Sequence, residues 1–219
     1  MTSMPPRDPL QDDLLAPENS ALVLIDFQPA QVYTSVSADT DSLIPNVVSL
    51  AKIGKLFNLP IVLSTAQVGN GANGDTIPQL RKQLEGVTSY DRSAINAWED
   101  EDFVTAVRAT GRKKLIMAAL WTEVCLVFPA VSAIAEGFEV YAVVDCVGGT
   151  SREAHESGIQ RVIQAGAKPV SWIAVLCELQ RDWNRTETAQ GMVEIALERG
   201  GPFGNELAIK LDTTSLAAA

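Results

Sequence analysis

Lys114-Leu-Ile-Met-Ala-Ala-Leu-Trp-Thr-Glu-Val-Cys125 decides the fold class. Leu115–Ala119 is an unbroken apolar run with the length of one buried strand, and Thr122-Glu123 is the polar opening of a helix. Cys125 falls in the first turn of that helix. Unpaired backbone N–H groups and the positive end of the helix dipole favour a thiolate there. The same residue would also serve as a small buried hydrophobe, the commonest use of a free cysteine.

The pattern repeats outward from this segment. Ala21-Leu-Val-Leu-Ile25 is a second apolar run, ending at Asp26, and Pro60–Ser64, Phe138–Val144 and Lys168–Ser171 add three more. Continuous apolar runs mark strands covered on both faces. Helix-period stretches over 42–57, 100–110, 123–136 and 151–165 lie between them. The alternation predicts an α/β fold: a mainly parallel central sheet with helices on both faces, carrying its functional groups at the carboxyl ends of the strands. Asp26 and Cys125 both fall at such ends. Gln67–Pro78, with Gly69, Gly71, Asn73 and Gly74, has no periodicity and reads as a surface loop near that rim. Its glycines make no phosphate loop, because no Gly-Lys-Ser/Thr follows them. Helical stretches at 173–183 and 186–198 then precede an irregular tail through Gly200-Gly-Pro-Phe-Gly204.

With 219 residues, 47% hydrophobic and 20% charged, the chain suffices for one sizeable core. Residues 1–14 read as an N-terminal arm and 15–185 as the domain proper. Residues 186–219 form a helical extension and tail, packed on that domain or used in subunit contacts. A net charge of −10, with no basic run longer than Arg112-Lys113-Lys114, argues against a nucleic acid partner. The first 20 residues are polar and acidic, without the apolar stretch of a signal peptide. Leu115–Ala135 is the one segment that mimics a membrane span, and Thr122, Glu123, Pro129 and Ser132 interrupt it. A cytoplasmic protein with no membrane partner is expected. Cys125, Cys146 and Cys177 are odd in number and widely spaced, which suits reduced thiols.

Several motifs, in order, resemble the isochorismatase-like cysteine hydrolases and, within them, the YcaC-type branch. They are Leu24-Ile-Asp-Phe-Gln28, Ile95-Asn-Ala-Trp98, Thr122-Glu-Val-Cys125, Phe128-Pro-Ala130, Gln164-Ala-Gly-Ala167 and Cys177-Glu-Leu-Gln-Arg-Asp-Trp183. The resemblance covers roughly residues 15–185 and implies a three-layer α/β/α sandwich. It also implies a catalytic set of Asp26, Cys125 and a basic residue. Lysine is usual at the basic position, and Arg92 stands there.

In the chemistry so implied, Cys125 attacks a carbonyl-like carbon and Asp26 moves the proton. Arg92 holds both by charge, since arginine stays protonated at physiological pH; its alternative reading is a solvated loop residue paired with Asp91. The backbone N–H groups of Cys125 and Trp121 are the expected oxyanion donors, with a non-proline cis peptide at Leu120-Trp121. Gln28 and Trp121 are expected to line the substrate pocket.

The resulting reading is a cofactor-free hydrolase acting on the C–N bond of a small amide or related compound through a thioester-type intermediate. True isochorismatases resemble the family but lack the nucleophilic cysteine. A homo-oligomer, with octamers in the YcaC-type branch, is implied. The rival readings are a catalytically silent binding protein and a thiol redox protein using Cys125. His155, the single histidine, reads as structural and makes a family-type metal site improbable. Cys146 and Cys177 read as structural thiols, and Asp145 and Glu123 as capping carboxylates.

Overall fold

Ser20–Ile25 (β1), Ile61–Ala66 (β2), Ser89–Arg92 (β3), Lys114–Ala119 (β4), Glu139–Val143 (β5) and Lys168–Val170 (β6) lie side by side, all parallel, in the order β3-β2-β1-β4-β5-β6. The computed structural model describes residue 4 and residues 7–217. Two of the apolar runs, β1 and β4, are buried at every position and form the centre of the sheet. Five of the strands match the apolar runs. β3 was not expected, because Ser-Tyr-Asp-Arg is a short polar edge strand without an apolar pattern.

Helices α1 (Pro29–Tyr33), α2 (Thr40–Leu56), α3 (Pro78–Gln83), α4 (Glu101–Ala109), α5 (Val127–Ala135), α6 (Arg152–Ala165), α7 (Trp172–Gln180), α8 (Thr186–Arg199) and α9 (Pro202–Ala217) complete the chain. α2 packs with α7 and α8, while α5 packs with α6 and, through the turn Ala97–Glu99, with α4. These groups are the two outer layers of an α/β/α sandwich, as expected. α2 approaches the sheet closely at Gly54, where a Cβ would stand 2.8 Å from Leu22 Cδ2.

Two expectations need correction. The supposed irregular tail is helical: Pro202 starts α9, which folds back on α8. Proline suits a first helical turn, where its missing N–H is not needed, so Gly200-Gly201 separates two helices instead of beginning a tail. The helix expected at 123–136 begins instead with a π-helical turn, Thr122–Leu126, before α5. Of the expected arm, residues 1–3, 5 and 6 lie outside the described residues. Asp12–Leu15 are fastened to the floor of the sheet. The buried Lys114 Nζ donates to the carbonyls of Asp12 and Leu14, Tyr141 donates to the carbonyl of Asp13, and Arg181 pairs with Asp12 at 2.8 Å. No helix among the described residues is long and apolar enough to cross a membrane.

Candidate active site

The chain runs from β1 outward to β2 and β3, then returns across β1 to β4, so neighbouring strands β1 and β4 diverge in connection at their carboxyl ends. Open parallel sheets place ligand crevices at such a switch point. Asp26 follows β1 directly and adopts φ 60°, a left-handed conformation that aspartate tolerates better than most L residues. Its N–H donates to Ser64 O at 3.0 Å.

Arg92 ends β3, two strands away from β1, and its long side chain passes over the end of β2. The guanidinium meets Asp26 as a two-pronged pair, Nη1 to Oδ1 and Nη2 to Oδ2, both at 2.7 Å. Nη1 also donates to Ser64 Oγ and Thr65 O at 3.0 Å, and Nη2 to Ile95 O at 3.2 Å. Both side chains are 1% exposed. Burial alone would weaken the arginine's hold on its proton, but the carboxylate outweighs it and keeps Arg92 charged. Its Nε is buried without a hydrogen-bond partner. The reading of Arg92 as a solvated partner of Asp91 is therefore excluded. Asp91 instead accepts from Thr65 Oγ1 and from the N–H groups of Val68 and Gly69, at 2.8–3.1 Å, and so fastens the loop after β2.

Cys125 arrives on the π-helical turn. Leu120 N–H donates to Ile25 O, the Leu120-Trp121 peptide is cis, and Thr122 N–H donates to Gly148 O at 2.9 Å. Trp121 O then accepts from Val124, Cys125 and Leu126, with the Cys125 N–H the shortest at 2.8 Å. This corrects the picture of a cysteine among unpaired amides. The thiol is 7% exposed, and its pKa is pushed far up, first by burial and then by the charge and hydrogen bonding of Asp26; Arg92 and the backbone pull it back only in part. Burial and Asp26 thus oppose the thiolate expected from a helix terminus. The three side chains nevertheless form one buried group, in which Asp26 acts on both Arg92 and Cys125.

The other candidates divide. Trp121 is half-buried and its indole N–H donates to Thr34 Oγ1 at 3.2 Å, so the ring leans on the end of α1 beside the exposed Tyr33. Gln28 is fully buried, and its amide bonds the main chain of Ala66 and Gly74, which makes it a support for the loop instead of a pocket wall. Cys146 is buried, its pKa raised by burial and by neighbouring Asp145, whose carboxylate caps α7 at Trp172 N–H; Cys177 lies on the surface. Glu123 accepts from the N–H and hydroxyl of Thr150. Among the described residues no group of three or more His, Cys, Asp or Glu side chains is placed to hold a metal. Ser64 and Thr65 were not anticipated as supports, and nothing in their sequence context marks them. A cavity of about 1020 Å³ between the arm and Arg181–Arg185 contains none of the three central residues.

The model of the isochorismatase domain matches residues 20–174, which spans β1 to the start of α7. The chain belongs to the isochorismatase family. A probable hydrolase, YcaC, of Escherichia coli K12 is 42% identical over 166 residues, 75% of this chain and 79% of that protein. The crystal structure of the E. coli YcaC gene product, described as an octameric hydrolase of unknown specificity, superposes with a TM-score of 0.85 and 37% identity, covering 93% of this chain and 98% of that one. YcaC from Pseudomonas aeruginosa, solved with hexane-2,5-diol and covalent acrylamide, gives 0.84 and 34%, covering 90% and 96%. This isochorismatase-family hydrolase is thus YcaC-like over nearly its whole length.

Proposed function

We propose that the protein is a cofactor-free amide hydrolase in which Cys125 is the nucleophile, Asp26 the proton carrier and Arg92 the fixed charge that holds Asp26. The observation that carries this reading is the buried two-pronged Asp26–Arg92 pair beside the thiol. In the acylation step the Cys125 S–H proton passes to Asp26 while sulfur bonds to the amide carbon, and the carbonyl electrons move to oxygen. The backbone N–H group of Trp121 receives that oxyanion, with Cys125 N–H as a second donor shared with Trp121 O. Collapse breaks the C–N bond as Asp26 returns the proton to the departing amine. Water then attacks the thioester, giving its proton to Asp26, and the acid leaves as the thiol is restored. Arg92 stays protonated throughout.

Covalent acrylamide in the P. aeruginosa relative supports a nucleophilic group reachable by small molecules, since acrylamide is attacked at its vinyl carbon and keeps its C–N bond. Trp121 at the rim favours small, partly apolar amides. A homo-oligomer, for which the octameric E. coli relative is the precedent, and a cytoplasmic location belong to the same reading. Peroxide consumption with a stable sulfenate at Cys125, in place of amide turnover, would mark the rival thiol redox reading. The test is ammonia or amine release from a panel of small amides. Turnover should fall to background in Cys125→Ala and Asp26→Asn; turnover persisting in Cys125→Ala would overturn the reading.

A further inference from the structure

The chain's one histidine is tied to the turn that carries Cys125. His155 Nδ1 lies 2.9 Å from Thr122 Oγ1, and Thr122, fully buried, is the first residue of the π-helical turn. Around this bond α6 grips the turn tightly. A Cβ on Gly158 would stand 3.1 Å from Glu123 Cα and 3.2 Å from Thr122 Cγ2. A Cβ on Gly149 would stand 2.6 Å from Glu123 Oε2 and 2.9 Å from His155 N. Ser151 caps α6 by accepting from Ala154 N–H, which fixes the helical turn bearing His155.

We propose that His155 is a positioning residue for the nucleophile: through Thr122 it holds the Trp121–Leu126 turn in the shape that sets Cys125 and the Trp121 amide. The inference rests on the proposed role of Cys125. Thr122 N–H is already committed to Gly148 O, so the hydroxyl held by His155 is the second point fixing this residue. With both points held, the Trp121 carbonyl that gathers three amides, Cys125 included, stays in place.

The tie is also sensitive to acid. Burial lowers the His155 pKa below its usual value, against the opposing charges of Glu123 from the turn and Glu156 from α6 itself. The neutral imidazole therefore prevails at pH 7, and stability from this contact is lost as pH falls below the ordinary histidine value toward the depressed one. Protonation forces Nδ1 to donate and puts a charge where burial disfavours it.

The experiment uses the full chain and two readouts: hydrogen exchange of the 120–126 segment, corrected for intrinsic rates, and the rate of acrylamide addition at Cys125 by mass spectrometry. In the wild type, protection of 120–126 should fall at least ~5-fold from pH 7 to pH 5. His155→Asn, which keeps a hydrogen-bonding group without a titration, should flatten that dependence, and His155→Ala should show the loosened state at both pH values with a several-fold altered addition rate. Equal, pH-independent protection in wild type and His155→Ala would overturn the inference. So would altered protection with unchanged addition, which would reduce His155 to a structural contact. The exchange readout needs no turnover, so loss of the hydrolase reading would be recognised separately by the amide panel.

Discussion

Cys125 is a thiol whose ionisation burial and Asp26 oppose, and Arg92 is the charge that offsets this in part. Removing the guanidinium leaves Asp26 as a buried carboxylate without its partner. Loss of one member of such a pair costs about 3–5 kcal/mol, so Arg92→Ala should show that loss in urea unfolding. In the same variant the iodoacetamide reactivity of Cys125 should move to higher pH, because Arg92 lowers the thiol pKa while Asp26 and burial raise it. An unchanged reactivity profile would show that the guanidinium does not act on the sulfur. The placement of Asp26 and Cys125 at the carboxyl edge of the sheet was legible in the sequence because each follows a buried apolar strand, whereas their proposed roles came from the resemblance. The partnership of Asp26 with Arg92 was not legible, since it joins strands 66 residues apart through a side chain that crosses a third. Gln28 was misplaced for a related reason: proximity to Asp26 in sequence says nothing about which way an amide turns.

Among the elements, the loop after β2 is held at its start by the Asp91 carboxylate, alongside the Gln28 amide. Burial alone would raise the Asp91 pKa, but the N–H groups of Gly69 and Val68, the Thr65 hydroxyl and the Arg92 charge together hold it below the ordinary aspartate value. A depressed acid stabilises at pH above the unfolded value, roughly 4, and that contribution disappears as pH falls through the folded one. Asp91→Ala should speed exchange of the Val68 and Gly69 amides by about 10-fold at pH 7, with less difference from wild type under acid conditions; equal exchange at pH 7 would show that the loop is held otherwise. The elements that were legible are those with an unbroken apolar run, such as β1 and β4, or a helical period, such as α4 and α6. β3 escaped because edge strands need no apolar face, and the π-helical turn because its start resembles any capped helix.

On the scale of the whole molecule, the sheet has a floor and a rim. Lys114, Tyr141 and Arg181 secure Asp12–Leu15 at the floor, while Asp26, Arg92 and Cys125 gather at the rim. Lys114→Met would leave the Asp12 carbonyl without its donor and the Leu14 carbonyl with Asn19 Nδ2 alone, and should cost about 2–3 kcal/mol, read as lowered Tm and faster proteolytic cleavage before Leu15. Undiminished protection of the arm would assign its docking to Arg181 and Tyr141 instead. The polar composition of the arm hid this attachment, since a buried lysine at the head of an apolar strand carries no sign of what it binds. β4 spans the interval from floor to rim in six residues, about 17 Å. Leu10, exposed just before the fastened segment, is therefore a natural anchorage for a dye or a solid support: immobilisation through that position would turn the opposite end of the sheet toward the solution.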